Sequence, residues 1–156
     1  ADYYKRIEAI QFTMTHDDGK KNEDVEKADI VLLGVSRTSK TPTSIYLANR
    51  GFKTLNIPLV LDQKIPDFLK TNNNKLCVIG LTADAERLAE IRKTRANTNN
   101  NIDLKLYTNV EKIKEEVHSS KTMFKKFNWP IIDVTRRSVE ETAASIIKIY
   151  EIKKNK

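Results

Sequence analysis

The chain has 156 residues, a formal net charge of +7 at pH 7 and a single cysteine. That length suits one domain, residues 1–156, with one core, and a lone cysteine excludes an internal disulfide or a cysteine-based zinc site. The longest apolar run falls far short of the roughly 20 residues of a membrane helix, no signal-peptide pattern opens the sequence, and the few aromatics do not interleave with the basic residues; a cytoplasmic protein binding neither membrane nor nucleic acid is expected.

Tyr3, Tyr4 and Ile7 read as core-facing, and Ile10 to Thr15 alternates apolar Ile10, Phe12 and Met14 with polar neighbours, as in a half-buried strand. His16-Asp17-Asp18-Gly19 follows. Two carboxylates beside an imidazole can supply a general base or a metal ligand, yet Asp-Gly also simply makes a turn, and the residues alone favour the turn. Asn22 can cap a short acidic turn, Glu23 to Lys27.

Ile30 to Leu33 is a short β-branched apolar run, a strand of a parallel sheet buried on both faces. Gly34 ends it. Val35, Ser36, Arg37, Thr38, Ser39, Lys40 and Thr41 follow, then a short helical pattern closed by Gly51. Strand, polar loop, Lys-Thr and helix is the order of a P-loop, in which backbone N–H groups wrap phosphates, the lysine neutralises them and the hydroxyl holds Mg²⁺. Ser39 stands where that pattern has its second glycine, and its hydroxyl can cap the helix or touch a phosphate. Pro42 places Thr41 just outside the helix. A chance Lys-Thr pair in a Ser/Thr-rich loop is the competing account.

Lys53 to Leu61 reads as a second strand with Pro58 near a sheet edge, and Asp62 to Lys70 as a short amphipathic helix. Leu76 to Leu81 is a third strand carrying Cys77 as an inert core residue. Thr82 is expected to cap a helix from Ala83 to Arg95 with Ala85, Leu88, Ala89 and either Ile91 or Arg92 inward. Its Arg87, Arg92, Lys93 and Arg95 could close over a transferred phosphoryl group or form a solvated basic face. A polar loop, Ala96 to Asn101, comes next. Asn109 caps a long helix, Val110 to Phe127, with His118 on its surface; Trp129 to Val134 is a fourth strand; and Ser138 with Glu141 forms the capping box of a closing helix, Val139 to Ile152. Asp133, at a strand's C-terminal end, either serves a ligand or orders the turn after it.

KRIEAIQFTMTHDDG, ADIVLLGVSRTSKTPTSIYLANRG, IGLTADAERLAEIR and WPIIDVTRRSVEETAASI together resemble the catalytic part of the bifunctional regulatory proteins of pyruvate, phosphate dikinase and phosphoenolpyruvate synthase. The resemblance covers essentially the whole chain and lacks the family's N-terminal part, so a C-terminal piece of a longer protein is expected. It implies an α/β fold, a three-layer P-loop kinase-like domain with a mostly parallel central sheet. It also implies an ADP-dependent serine/threonine-protein kinase that phosphorylates a threonine of its target and removes the phosphoryl group with inorganic phosphate, giving pyrophosphate. Gly34 to Thr41 matches the family's ADP-binding stretch, where Ser39 is the usual residue, with Thr41 as the Mg²⁺ ligand. HDDG matches as well, which makes Asp18 or Asp17 the acid/base partner of Lys40. Which target enzyme is used, and whether the protein is a homodimer, stay open. The alternatives are an ATP-dependent small-molecule kinase of the adenylate or shikimate kinase kind and a nucleotide-binding module without catalysis.

Overall fold

The computed structural model describes residues 2–16, 27–35, 37–59, 77–96 and 109–154. The expectations for Asp17, Asp18, the turn from Asn22, Ser36, the end of the second strand, the 62–70 helix and residues 97–101 lie outside them. The described elements are α1 (Asp2–Thr15), β1 (Ile30–Gly34), α2 (Lys40–Ala48), β2 (Thr54–Pro58), β3 (Cys77–Thr82), α3 (Ala85–Ala96), α4 (Val110–Lys126), β4 (Ile131–Asp133) and α5 (Val139–Lys154).

The four strands form one parallel sheet in the order β2-β1-β3-β4. Ile30 to Leu33 are all 0% exposed, which is why β1 reads as an unbroken apolar run: helices cover both faces of the sheet. On one face Ile30 and Leu32 of β1 and Ile79 of β3 meet Leu47 of α2 and Ile146 of α5. On the other, Val31, Leu33, Leu55 and Val78 meet Phe124 of α4 and Trp129. Each such side chain taken from water contributes about 1.5–3 kcal/mol. The approach of α4 is close enough that a Cβ at Gly80 would run into the Phe124 ring. This is the three-layer α/β arrangement with a parallel sheet that the family resemblance implies.

Helix ends follow local chemistry. Asn109 accepts from the N–H groups of Glu111 (2.9 Å) and Lys112 (3.4 Å) at the start of α4, a cap of the kind that contributes about 1 kcal/mol. Ser138 and Glu141 form the expected capping box, Glu141 N donating to Ser138 Oγ at 3.1 Å and Ser138 N reaching Glu141 Oε1 at 3.5 Å. After α2 the chain turns through Gly51 at φ 91°, with Phe52 N on Leu47 O and Gly51 N on Ala48 O, a pattern that needs glycine's left-handed freedom. Pro58 ends an edge strand, where its missing N–H removes no ladder bond. His118 is on the surface and Cys77 is buried, where burial pushes its thiol pKa up.

Three expectations are corrected. Ile10 to Thr15 belongs to helix α1, not to a strand. The buried residues of α1 and of the turn that ends it are Ala9, Thr13 and His16, spaced by four and three, with Phe12 half-buried beside them, while Met14 is 67% exposed. Six alternating letters fit both periods, and the apolar ones were not the buried ones. Tyr3 and Tyr4 are exposed, not core. Finally, Thr82 is the last residue of β3, and Asp84 takes the capping place for α3, its Oδ2 accepting from Arg87 N at 3.4 Å.

Candidate functional site

The loop between β1 and α2 is closed and internally braced. Gly34 O accepts from Leu59 N at 2.9 Å, prolonging the β1–β2 pairing to the base of the loop. Thr38 is 0% exposed and its Oγ1 donates to Val35 O at 2.8 Å. A Cβ on Gly34 would lie 2.5 Å from that oxygen and 2.9 Å from Leu81 O. Glycine at position 34 is therefore what lets the loop fold back over the strand end.

Lys40 opens α2 and turns inward. Its Nζ donates to Val35 O at 2.9 Å and to Thr38 Oγ1 at 3.5 Å, and the residue is only 6% exposed. The ammonium thus sits inside the loop's curve. Ser39 is left-handed (φ 62°, ψ 27°) and makes no side-chain cap, so its expected capping role is absent. A left-handed residue followed by a helical one turns successive N–H groups toward one point, the backbone geometry of an anion nest. Arg37, also at positive φ (71°), is exposed on the rim.

Thr41 is the second residue of α2 and Pro42 the third, so Thr41 is inside the helix and not outside it as the sequence suggested. A first turn tolerates proline because its N–H groups have no acceptor within the helix. Of the stretch expected to bind nucleotide, Gly34, Val35, Thr38 and Lys40 meet, Ser39 and Thr41 flank Lys40 in the chain and Arg37 is exposed; Ser36, like Asp17 and Asp18, lies outside the described residues.

His16, which precedes those two aspartates, is fixed at the C-terminal end of α1. Its ring stacks on Phe12 with centroids 4.0 Å apart, and Nδ1 donates to Phe12 O at 2.8 Å.

Asp133 orders the turn after β4. Thr135 donates to Asp133 Oδ1 from its N–H (2.9 Å) and its hydroxyl (2.5 Å), and Thr135 Oγ1 accepts from Asp84 N at 2.8 Å. Burial pulls the Asp133 pKa upward, but those two hydrogen bonds, with Lys121 and Arg137 nearby, bring it below its ordinary value. Through Oδ1 its carboxylate ties the β3–α3 and β4–α5 connections together.

The arginine helix divides in the same way. Arg92 is 1% exposed, with Nη1 2.7 Å from Glu116 Oε2 of α4, and so it, rather than Ile91, completes the inward face. Arg87 pairs with Glu90 one turn on at 3.3 Å. These two serve helix packing and surface pairing. Thr38 lies within the stretch that the sequence singles out, but nothing in a Ser/Thr-rich loop marks it as the hydroxyl that folds inward.

A parallel three-layer α/β domain with a glycine-based loop, an inward lysine and a helix at the end of its central strand is the class that fold and site define. The chain belongs to the kinase/pyrophosphorylase family, whose sequence profile matches residues 1–147. It is 65% identical over 154 residues to a protein of Pelagibacter ubique (strain HTCC1062), covering 99% of this chain and 56% of that protein. Proteins of Chelativorans sp. (strain BNC1) and Wolbachia pipientis wMel are each 51% identical over 149 residues, covering 96% of this chain and 54% of theirs. All three carry the provisional name pyruvate, phosphate dikinase regulatory protein. The chain spans about half the length of the curated relatives it matches.

Proposed function

We propose that this chain is the ADP-binding catalytic part of a bifunctional regulator of pyruvate, phosphate dikinase or phosphoenolpyruvate synthase. In one direction the β-phosphoryl group of ADP passes to a threonine hydroxyl of the target, leaving AMP. In the other, inorganic phosphate attacks the phosphothreonine, releasing pyrophosphate and the free hydroxyl. The observation that carries the reading is the Lys40 ammonium held inside the loop by Val35 O and Thr38 Oγ1; the relatives' names support the choice of target.

Lys40 and the N–H groups around Ser39 would hold the transferring phosphoryl oxygens, where fixed positive charge supplies most of the rate. Thr41, the residue after Lys40 in the first turn of α2, would offer Mg²⁺ a neutral hydroxyl oxygen, and this cation shares its coordination among a few protein oxygens, phosphates and water. Bound there, it would neutralise charge on the phosphate. Asp18 or Asp17 takes the proton of the threonine hydroxyl in the forward direction and returns it in the reverse.

Transfer to purified dikinase and synthase, with ADP and ATP compared as donors, tests the reading alongside free metabolites as acceptors. Lys40→Ala is expected to abolish both reactions, and Asp18→Asn to abolish transfer while sparing ADP binding. Full transfer activity in Asp18→Asn would remove the base assignment. Preference for ATP and a metabolite acceptor would make this a small-molecule kinase instead.

A further inference from the structure

At the far end of α2 from the loop, a cavity of about 430 Å³ is lined by Lys5, Arg6, Asn49, Arg50 and Gly51. We propose that it is a second anion site, taking a small phosphate-bearing ligand independently of the β1–α2 loop. Among the described residues three cations line it and no carboxylate does. Glu8, the acid nearest in sequence to Lys5 and Arg6 among the described residues, is engaged by Lys53 at 2.6 Å.

Arg50 follows the C-terminal end of α2, where a cation complements the helix dipole. Lys5 and Arg6 converge on the same hollow from α1, and three like charges around one hollow repel one another. An anion in the hollow relieves that cost.

The lining is also partly fixed in advance. The Arg50 guanidinium donates through Nη2 to Tyr46 Oη at 2.8 Å and lies 5.0 Å from the centre of that ring, leaving its other N–H donors for a phosphate fork. The aliphatic stem of Lys5 runs over Gly51, its Cγ and Cδ each 3.8 Å from where a Cβ would be. At this volume the hollow suits a compact metabolite, and its polar, cationic lining selects phosphate over an apolar group.

The site is opposite the loop in the fold. Gly51 lies just before the start of β2, whose Thr54 pairs with Ile30 at the beginning of β1, whereas the loop follows the ends of the same strands. The nine residues of α2 separate the two, about 13 Å along its axis.

Pyrophosphate titrated calorimetrically into the full chain, at fixed ionic strength, tests the assignment. Wild-type protein should show two classes of site, Lys40→Ala only one, and Lys5→Gln/Arg6→Gln should weaken that remaining one by about tenfold or more, since charge-assisted hydrogen bonds to the ligand are lost. Lys5→Arg/Arg6→Lys should retain it. Both positions are exposed, so the fold persists. The proposal is overturned if Lys40→Ala removes all pyrophosphate binding, if Lys5→Gln/Arg6→Gln leaves it unchanged, or if an equal concentration of sulfate or of an acidic peptide competes as well as ADP and pyrophosphate do. Because the Lys40→Ala arm reports on the loop by itself, failure of the second site and failure of the nucleotide reading give different patterns.

Discussion

At the scale of single residues, the loop depends on a glycine and a threonine more than on its charged members. Gly34→Ala would press a methyl against Thr38 Oγ1 and against Leu81 O, the second of which is backbone and cannot swing aside. Thr38 must then leave, and Lys40 loses one of its acceptors. The expected cost is about 1–3 kcal/mol, the range for inserting a methyl where packing leaves no room. Urea denaturation should show the midpoint falling at constant m, with ADP affinity falling in parallel. An unchanged midpoint would mean that the loop is not folded onto the strand. The linear order of Gly34, Lys40 and Thr41 was legible because a strand, a loop and a helix occur in sequence. The inward rotation of Thr38 was not, because it rests on an N- or O-donor reaching back three residues, a choice the backbone makes only after the strand end is packed.

At the scale of elements, two connections at the C-terminal edge of the sheet act as one unit through Thr135, which joins Asp133 to the Asp84 main chain. The Asp133 pKa is lowered in the folded state. Its contribution to stability is therefore fully present above the ordinary carboxylate value and is lost as pH falls through that value toward the folded one. Asp133→Asn keeps an oxygen acceptor for Thr135 but no titrating charge. Thermal unfolding from neutral to acid pH should then lose stability less steeply in the variant than in the wild type. A residual slope is expected, because Glu8, lowered chiefly by its hydrogen bond and charge pairing with Lys53, titrates in both. Identical slopes would show that the Thr135 bonds do not distinguish the ionised carboxylate. Elements whose buried faces are apolar, such as α4 with Ile113, Val117 and Phe124, were legible from periodicity. Helix α1 was not, since it and the residue after it turn Ala9, Thr13 and His16 inward, and it carries Tyr3, Tyr4 and Met14 outward.

At the scale of the whole molecule, the chain moves from β1 to β2 on one side and returns to place β3 on the other. The loop accordingly stands where the direction of winding reverses, the position at which open parallel sheets bind ligands. Four parallel strands followed from the apolar runs, but their order did not, because it is set by which side each crossover takes. The consequence is mechanical: the β1–α2 loop hangs from the strand with a neighbour on each side and no exposed residue, while β4 is a three-residue strand at the edge of the sheet among the described residues. Local opening should start at such edges and reach the centre only with global unfolding. Native-state hydrogen exchange is therefore expected to give the amides of Val31 to Leu33 the highest protection, limited by the full unfolding free energy, and those of Ile131 and Ile132 distinctly less. ADP should add protection at the first turn of α2 while leaving the ranking of the strands unchanged. Exchange in β1 as fast as in β4 would mean that the sheet opens from its middle, and the loop would then have no rigid support against which Lys40 could hold a phosphate.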